Sequence, residues 1–382
     1  LNGENILADK LRVGVIGCGE ISSNHVLGYL NSERYEIIAL ADLSEDAMKD
    51  FDAKYSGYDD YKAKHFTDAH EMLDKSKLDV VSVGVWDMGH APMTIAAAAT
   101  PGVKAVLCEK PMSDTTGNAA DMMLVCRRNN VKLAISHQRR FLPAYNLAKD
   151  MIAAGDIGAP RLITTFARDG LPNYSSHLAD MYRYILGDPE CVWVMGGVER
   201  ETDQWARAVP IEDKALGVWG FDNGAQAMIL SGLTPESSFG ARIYGSDGMI
   251  ELSVDDLKIM NTTSGGWQEH KPDGEFAKYG ADNFEMIEAG SVQAREFARW
   301  VNGEIEDYRG VAENGYKALE MVHAVYESAR THSQVYLPLK TKSHPLTEMI
   351  DSGHLPVLYP GRYDIRNRTL RGENTTLDTK NV

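Results

Sequence analysis

The tetrapeptide Cys108-Glu109-Lys110-Pro111 follows the apolar run 103–107 and puts a carboxylate and an ammonium on the rim of a buried strand. A lysine at such a rim can lay its stem on apolar surface while its charged end reaches a ligand. Proline lowers the cost of a cis bond between Lys110 and Pro111, which would turn the lysine into a cleft. An ammonium held there can stabilise a developing alkoxide and lower neighbouring pKa values; the plain alternative is a surface salt bridge. Proton transfer beside such an ammonium would require a base. His177 suits that task by intrinsic pKa, and it follows Leu171-Pro172-Asn173 at a loop-to-helix junction.

About ninety residues before Lys110, Val13-Gly14-Val15-Ile16-Gly17-Cys18-Gly19-Glu20-Ile21-Ser22 runs a strand into a helix through Gly-x-Gly-x-x-Ser. Gly17 permits the tight turn, Gly19 lets a pyrophosphate approach the backbone, and Ser22 is small enough for close helix–strand packing. The helix start at Glu20 and Ile21 then offers free N–H groups to phosphate. The next strand ends Ala39-Leu40-Ala41-Asp42, about twenty residues on, where a carboxylate hydrogen-bonds a ribose 2′-hydroxyl. Asp42 or Ser44 could instead cap the following helix. A carboxylate repels a 2′-phosphate, and Leu43 rather than an arginine follows it. NAD is therefore expected in preference to NADP.

The elements that must position these groups read as follows. Apolar runs at 11–16, 35–41, 78–85, 103–107 and 131–135 alternate with helical spacings at 21–30, 45–55, 92–99 and 118–128. Nearly unbroken Val/Ile/Leu runs between helices predict a doubly wound parallel sheet covered on both faces. Ligands of that fold bind beyond the carboxyl ends of the strands. After Pro143 a helix at 144–154 precedes predicted strands at 161–167, 191–198, 215–221, 225–231, 241–244, 249–253 and 257–260. Short turns such as Asp222-Asn223-Gly224 suit an antiparallel sheet. Helices at 292–302 and 312–331 complete an α+β unit. The expected division is 1–140 for dinucleotide, 141–339 for substrate, and 340–382 as a wrapping arm whose last residues are disordered.

The chain of 382 residues, 43% hydrophobic, can bury a large core, and its net charge of −16 argues against nucleic acid or an anionic membrane as partner. Its four cysteines lack CxxC spacing, so neither a disulfide framework nor a metal site is expected. No apolar run is long enough to span a membrane, and the polar start at residues 1–10 lacks a signal-peptide core. A soluble, cytoplasmic protein is the expectation.

In these features the chain resembles the Gfo/Idh/MocA oxidoreductases over roughly residues 10–338. The matching parts are Gly17-Cys18-Gly19, Ala41-Asp42, Glu109-Lys110-Pro111, Gln138-Arg139-Arg140-Phe141 and Asn173-Tyr174-Ser175-Ser176-His177-Leu178-Ala179-Asp180. Tyr244-Gly245-Ser246-Asp247-Gly248 and Ala324-Val325-Tyr326-Glu327-Ser328-Ala329 extend the match.

The resemblance implies a Rossmann domain joined to an open β-sheet domain, and NAD-dependent hydride transfer at a secondary hydroxyl of a sugar, sugar derivative or cyclitol. It also implies a homodimer or homotetramer built on the open sheet face. Lys110, His177 and Asp180 match the polyol-dehydrogenase pattern, whereas Asn173 stands where a catalytic aspartate is usual. An asparagine can hydrogen-bond a hydroxyl but cannot take a proton. His177 is then expected as base and Lys110 as its electrostatic partner. Asn173 would position substrate, and Asp180 would orient the imidazole, face substrate or form a structural pair. In Val85-Trp86-Asp87-Met88-Gly89-His90, His90 keeps its family place but Trp86 replaces a proline. Trp86 would stack along the cofactor or fill the core edge; His90 and Glu109 complete the cofactor set. One of Arg139 and Arg140 would bind substrate and the other would form an ion pair; Arg168 and Tyr174 are further candidates for hydroxyl contacts. Two alternatives remain open: a glycosidase using transient ring oxidation with retained NAD, and a non-catalytic dinucleotide sensor.

Overall fold

A computed structural model describes residues 10–235, 237–272 and 284–365. The first strand, β1 (Leu11–Ile16), enters helix α1 (Glu20–Ser32), and the chain then alternates β2 (Tyr35–Ala41), α2 (Glu45–Tyr55), β3 (Tyr61–Phe66), α3 (Ala69–Lys75) and β4 (Val80–Val83). Helix α4 (Asp87–Ala99), β5 (Ala105–Cys108), α5 (Thr116–Arg128) and β6 (Lys132–Ile135) follow. All six strands are parallel, in the order β3-β2-β1-β4-β5-β6. This is the doubly wound order, with its crevice beyond the carboxyl ends of β1 and β4. Val13, Val15, Leu40, Val80, Val81 and Val106 are fully buried, as strands covered on both faces require.

The apolar pattern predicts five of these strands. The sixth, β3, escapes because Lys62-Ala63-Lys64-His65 forms a polar sheet edge, with only Tyr61 buried. Asp68 starts α3 by accepting the main-chain N–H of His70.

A 3₁₀ turn, Gln138–Phe141, leads from β6 into α6 (Pro143–Ala154) and β7 (Pro160–Ala167). One turn of π-helix, Leu171–Ser175, runs directly into α7 (Ser176–Ile185). Next come β8 (Cys191–Glu199), β9 (Thr202–Ala206), β10 (Val209–Pro210), β11 (Lys214–Phe221), β12 (Gln226–Ser231) and β13 (Ala241–Gly245). Strands β14 (Gly248–Leu252), β15 (Leu257–Asn261) and β16 (Gln268–His270) precede helices α8 (Phe284–Val301) and α9 (Ala312–Thr331). The chain continues through β17 (Val335–Tyr336), α10 (Pro345–Asp351) and β18 (Tyr359–Asp364).

The second sheet has nine strands in the order β16-β15-β14-β13-β7-β12-β11-β8-β17, antiparallel except where β7 meets β12. Helix α9 covers one face. A Cβ at Gly196 would lie 2.5 Å from a Val325 methyl, and buried Trp219 donates its indole N–H to Met321 O at 3.0 Å. Helix α8 returns to α1, where Gly28 lets the backbones meet: a Cβ there would lie 2.8 Å from Gly290 O. The two sheets are thereby clamped together, which fixes the crevice between them.

The region after residue 340 is more ordered than a polar arm. Gly117 N donates to Lys342 O at 2.9 Å, and β18 pairs in parallel with β9 in a small sheet β10-β9-β18. The predicted disorder of the last residues falls on 366–382, outside the described residues. No helix among those described is long and apolar enough to cross a membrane.

Candidate active site

The glycine turn is shaped by what lies against it. Gly17 has φ +90°, and a Cβ on it would come within 2.7 Å of Gly84 O, so only glycine fits. Gly19 caps α1 without any side-chain cap, and a Cβ there would meet nothing within 4 Å. An N-terminus without a side-chain cap and open space at Gly19 suit a pyrophosphate. Ser22 is fully buried; a Cβ on Gly84 would lie 2.1 Å from its hydroxyl, so the small residue sets how closely α1 approaches β4.

Asp42 accepts from Cys18 N at 2.7 Å and from Ser44 N at 2.8 Å, while Ser44 itself caps α2. Its carboxylate thus ties the glycine turn to the end of β2 and keeps lone pairs for a ribose hydroxyl. Glu20 and Leu43 are exposed; Ile21 and Trp86 are half-buried, with Trp86 at the N-cap of α4. A free helix N-terminus, a glycine cradle and a positioned carboxylate fit the dinucleotide well.

Lys110 stands just past β5, and the Lys110–Pro111 bond is cis. His90 fixes this turn. Its Nδ1 is 2.8 Å from Pro111 O and its Nε2 is 3.0 Å from Val85 O. Two carbonyl acceptors demand two N–H donors, so the ring is an imidazolium. Burial opposes the charge, but Cys108, Asp87 and the Pro111 carbonyl push the pKa up to about 10. Glu109 points the other way. Its carboxylate accepts from His25 at 2.9 Å and from Lys110 N at 3.0 Å; burial works against its charge, yet His25 and Lys110 bring it down to about 2. Expected in the cofactor set, Glu109 and His90 are both buried and spend their polar atoms inside the protein. They hold the lysine turn in place.

The lysine amine crosses to the second half of the molecule and donates to Asn173 O at 3.1 Å. Burial drives its pKa down, and Arg207 and Arg139 add to this against Glu109 and Asp87, leaving it at about 8. Asn173 and His177 lie four residues apart on the segment that passes from π- to α-helix, a form frequent at functional sites. Both are buried, and Asn173 Nδ2 and His177 Nδ1 have no hydrogen-bond partner among the described residues. Burial, then Lys110 and Arg139, holds His177 well below the usual histidine range, so its imidazole is neutral. Asn173, where a carboxylate would oppose these cations, supplies no charge to raise it.

The remaining candidates separate cleanly. Asp180 receives Arg140 Nε at 2.9 Å, and both terminal nitrogens of Arg140 bind Asp188 at 3.0 and 2.8 Å. His137 Nδ1 lies 3.8 Å from Asp180, and its ring packs edge-on to His177 with centroids 6.2 Å apart. Asp180 therefore serves a buried ion-pair network and reaches His177 only through His137. Arg140 is the ion-pairing member of its couple. Arg139 lies over Phe239, 3.4 Å from the ring centroid, and Tyr174 stacks on that ring at 4.0 Å. Phe239 also meets His177 edge-on at 5.5 Å. Arg168 projects outward with its side chain 67% exposed, so a substrate role draws no support from its position.

Three groups of the site were invisible in the motifs. His25 holds Glu109, Phe239 organises Tyr174, Arg139 and His177, and Arg207 brings charge from the β9–β10 turn. No spacing signal marks any of them, because each reaches the site through tertiary folding.

The glycine turn and Lys110 lie beyond the carboxyl ends of one parallel sheet, where a dinucleotide spans the crevice of this fold, and Lys110 meets there the π-turn and α7 that carry Asn173 and His177. That arrangement defines a nicotinamide-dependent oxidoreductase. Residues 11–137 match the family model described as the oxidoreductase family, NAD-binding Rossmann fold, and residues 149–337 match that family's C-terminal alpha/beta domain. The chain belongs to the Gfo/Idh/MocA oxidoreductase family, and NAD is its cofactor. It is 28% identical over 257 residues to a myo-inositol 2-dehydrogenase of Thermotoga maritima, covering 63% of this chain and 74% of that protein. A D-apiose dehydrogenase of Paraburkholderia graminis is 23% identical over 378 residues, 90% of this chain and 94% of that one. Among solved structures, a levoglucosan dehydrogenase in complex with NADH and levoglucosan superposes with a TM-score of 0.75 at 19% identity, covering 87% of this chain and all of that one.

Proposed function

We propose that the protein oxidises a secondary hydroxyl of a sugar, sugar derivative or cyclitol, or reduces the matching ketone. The observation that carries this reading is the Lys110 amine. It leaves the cofactor sheet and bonds to Asn173 O, on the segment whose Asn173 Nδ2 and His177 Nδ1 are buried with no partner among the described residues. Relatives named for inositol, apiose and anhydrofructose chemistry support a polyhydroxylated substrate.

Bound NAD supplies the hydride acceptor. The rest falls to the chain. The proton role shifts from His177, the expected base, to Lys110. A base works best when its pKa lies near the working pH, and Lys110 at about 8 meets that condition while His177 is held too low. As a neutral amine Lys110 takes the hydroxyl proton; as an ammonium it returns one to the carbonyl oxygen. The neutral imidazole of His177 and the amide of Asn173 hydrogen-bond substrate hydroxyls and fix the reacting carbon. Tyr174 and Phe239 wall the cleft and exclude water. Exposed Met195, Leu216 and Met260 on the uncovered face of the nine-stranded sheet support assembly into a homodimer or homotetramer.

The test is a panel of polyols, sugars and glycosides followed by NADH absorbance. Stoichiometric NADH formation from a free polyol or sugar is expected. Glycoside cleavage without net NADH, or NAD binding without turnover on any member, would sink the dehydrogenase reading.

A further inference from the structure

The π-turn that bears Asn173 is held by a carboxyl group from another element. Its helical run starts at Leu171 and continues to Ile185, and Gly170 at the N-cap, with φ +76°, offers no side-chain cap. The opening N–H groups of such a run need acceptors. Glu212, just after β10, supplies one: its Oε1 accepts the main-chain N–H of Leu171 at 2.7 Å. Ile211 seats the same turn, since a Cβ on Gly170 would lie 2.7 Å from the Ile211 Cβ. The other oxygen of Glu212 accepts the hydroxyl of Tyr326 on α9. One buried carboxyl group therefore ties the π-turn to the helix that covers the second sheet.

The segment that carries Glu212 is itself fixed. Asp213, its neighbour, accepts Thr202 N at 2.9 Å and donates its own N–H to Glu199 O at 2.9 Å. Arg207 N donates to Asp364 Oδ2, so the C-terminal strand β18 braces the β9–β10 turn. No cation forms an ion pair with Glu212 among the described residues. The titratable groups around it are Tyr326 on α9 and Asp213 beside it in the chain. His344 and His323 pack on the Tyr326 ring, with centroids at 5.6 and 6.4 Å, and burial keeps both neutral. Burial raises the pKa of Glu212, its two donors oppose this, and it stands at about 7. As a carboxylate Glu212 accepts from both partners through charge-assisted bonds. Once protonated, one of its oxygens becomes a donor, and the grip on Leu171 weakens.

We propose that Glu212 is a positioning residue for the reaction: its carboxylate sets where the π-turn presents the Asn173 carbonyl to Lys110 and the His177 ring to substrate. The Leu171 bond lies two residues before Asn173 O, which receives Lys110 Nζ at 3.1 Å. A shift of the turn opens that contact, and misplacing a reacting group by about 1 Å costs about 10²-fold in rate. The proposal rests on the dehydrogenase reading for what is positioned, but the seating of the π-turn can be measured without turnover.

The experiment uses the full chain and two readouts. The first is NMR of the histidine rings in the NADH complex, from about pH 6 to about pH 9. His177 is neutral over this range, so its signal reports its neighbours. In wild type the signal should shift in one step near pH 7 from Glu212 and another near pH 8 from Lys110. Glu212→Gln, close in shape to the protonated acid, should abolish the first step and keep the second. Tyr326→Phe removes a donor that favours the carboxylate, so it should move the first step upward. The second readout is the pH profile of reduction of the ketone formed from the panel member turned over fastest. Lys110 makes this rate fall above about pH 8, so a further fall below about pH 7 belongs to Glu212 and should vanish in Glu212→Gln. Glu212→Ala should raise KM and lower kcat together, by about 10–100-fold in kcat/KM, with NADH affinity kept. If that variant does not fold, the Gln and Phe variants carry the test. A Glu212→Gln protein that keeps both the His177 step near pH 7 and the acid-side fall would overturn the proposal. Loss of that step in Glu212→Gln, with no panel member turned over by wild type, would leave the proposal standing and sink the dehydrogenase reading. NADH formation by wild type, with both readouts unchanged in Glu212→Gln and Tyr326→Phe, would do the reverse.

Discussion

Lys110 Nζ donates to the main-chain oxygen of Asn173 across the crevice, at 3.1 Å. The contact joins the end of β5 to the π-turn of the second half. It uses the Asn173 backbone, and the side-chain Nδ2 has no partner among the described residues.

Lys110 gives the first expectation, in two directions of reaction. With its pKa at about 8, the amine form grows as pH rises through that value. Alcohol oxidation needs the amine, so kcat/KM should climb to a plateau above about pH 8. Ketone reduction needs the ammonium and should fall over the same interval. Lys110→Met should cut turnover by about 10²–10⁴ in both directions and remove this pH limb, while NADH affinity changes little. A variant that keeps the limb would show that another group titrates there.

Asn173→Asp tests the departure from the family pattern. A carboxylate four residues before His177 and beside Lys110 would favour the charged form of both. The pH limb of oxidation should then move upward from about 8, and His177 should titrate closer to the ordinary histidine range by NMR. An unmoved limb in the folded variant would place the residue 173 side chain away from Lys110. A gain on simple polyols would mark the asparagine as a loss of catalytic power in this chain.

The cofactor half was legible because buried parallel strands write themselves as apolar runs. The glycine turn and Asp42 likewise carry their purpose in fixed spacing. Glu109 and His90 misled because sequence adjacency to a functional residue says little about direction. Successive side chains of an extended segment point to opposite faces, so Glu109 turns to His25 where Lys110 turns to the crevice. His90 stands on the face of α4 that meets the Pro111 turn. Arg207 was illegible for another reason: its tight turn contains no glycine or asparagine, and β18, which braces it, lies about 150 residues later in the chain. Such sites are written in tertiary contacts, and the local pattern carries no trace of them.

The structural bonds of Asp42 can be separated from the ribose role proposed for it. Asp42→Ala removes the ribose partner and the bond to Cys18 N at 2.7 Å. NAD affinity should fall about 10–100-fold, and discrimination against NADP should narrow. Asp42→Asn keeps one side-chain oxygen for Cys18 N but loses the charge and the acceptor used by Ser44 N. It should retain more NAD affinity than alanine while still relaxing the preference against a 2′-phosphate. Calorimetry with both dinucleotides checks this; equal NAD and NADP profiles for wild type and both variants would rule out the ribose role.

Asp180 distinguishes a buried scaffold from a catalytic group. Its partner Arg140 is 1% exposed and is shared with Asp188. Removing one carboxylate leaves a buried guanidinium short of charge and hydrogen bonds, which typically costs about 3–5 kcal/mol. Asp180→Ala should therefore show its main effect in denaturant unfolding, with a lower midpoint. Asp180→Asn keeps the shape and loses the charge, and it should fall between alanine and wild type. Once saturated with NAD and kept below its unfolding range, the Asn variant should retain kcat within about tenfold, since Asp180 reaches His177 only through His137. A loss of several orders of magnitude in kcat with unchanged stability would place Asp180 among the groups that touch substrate.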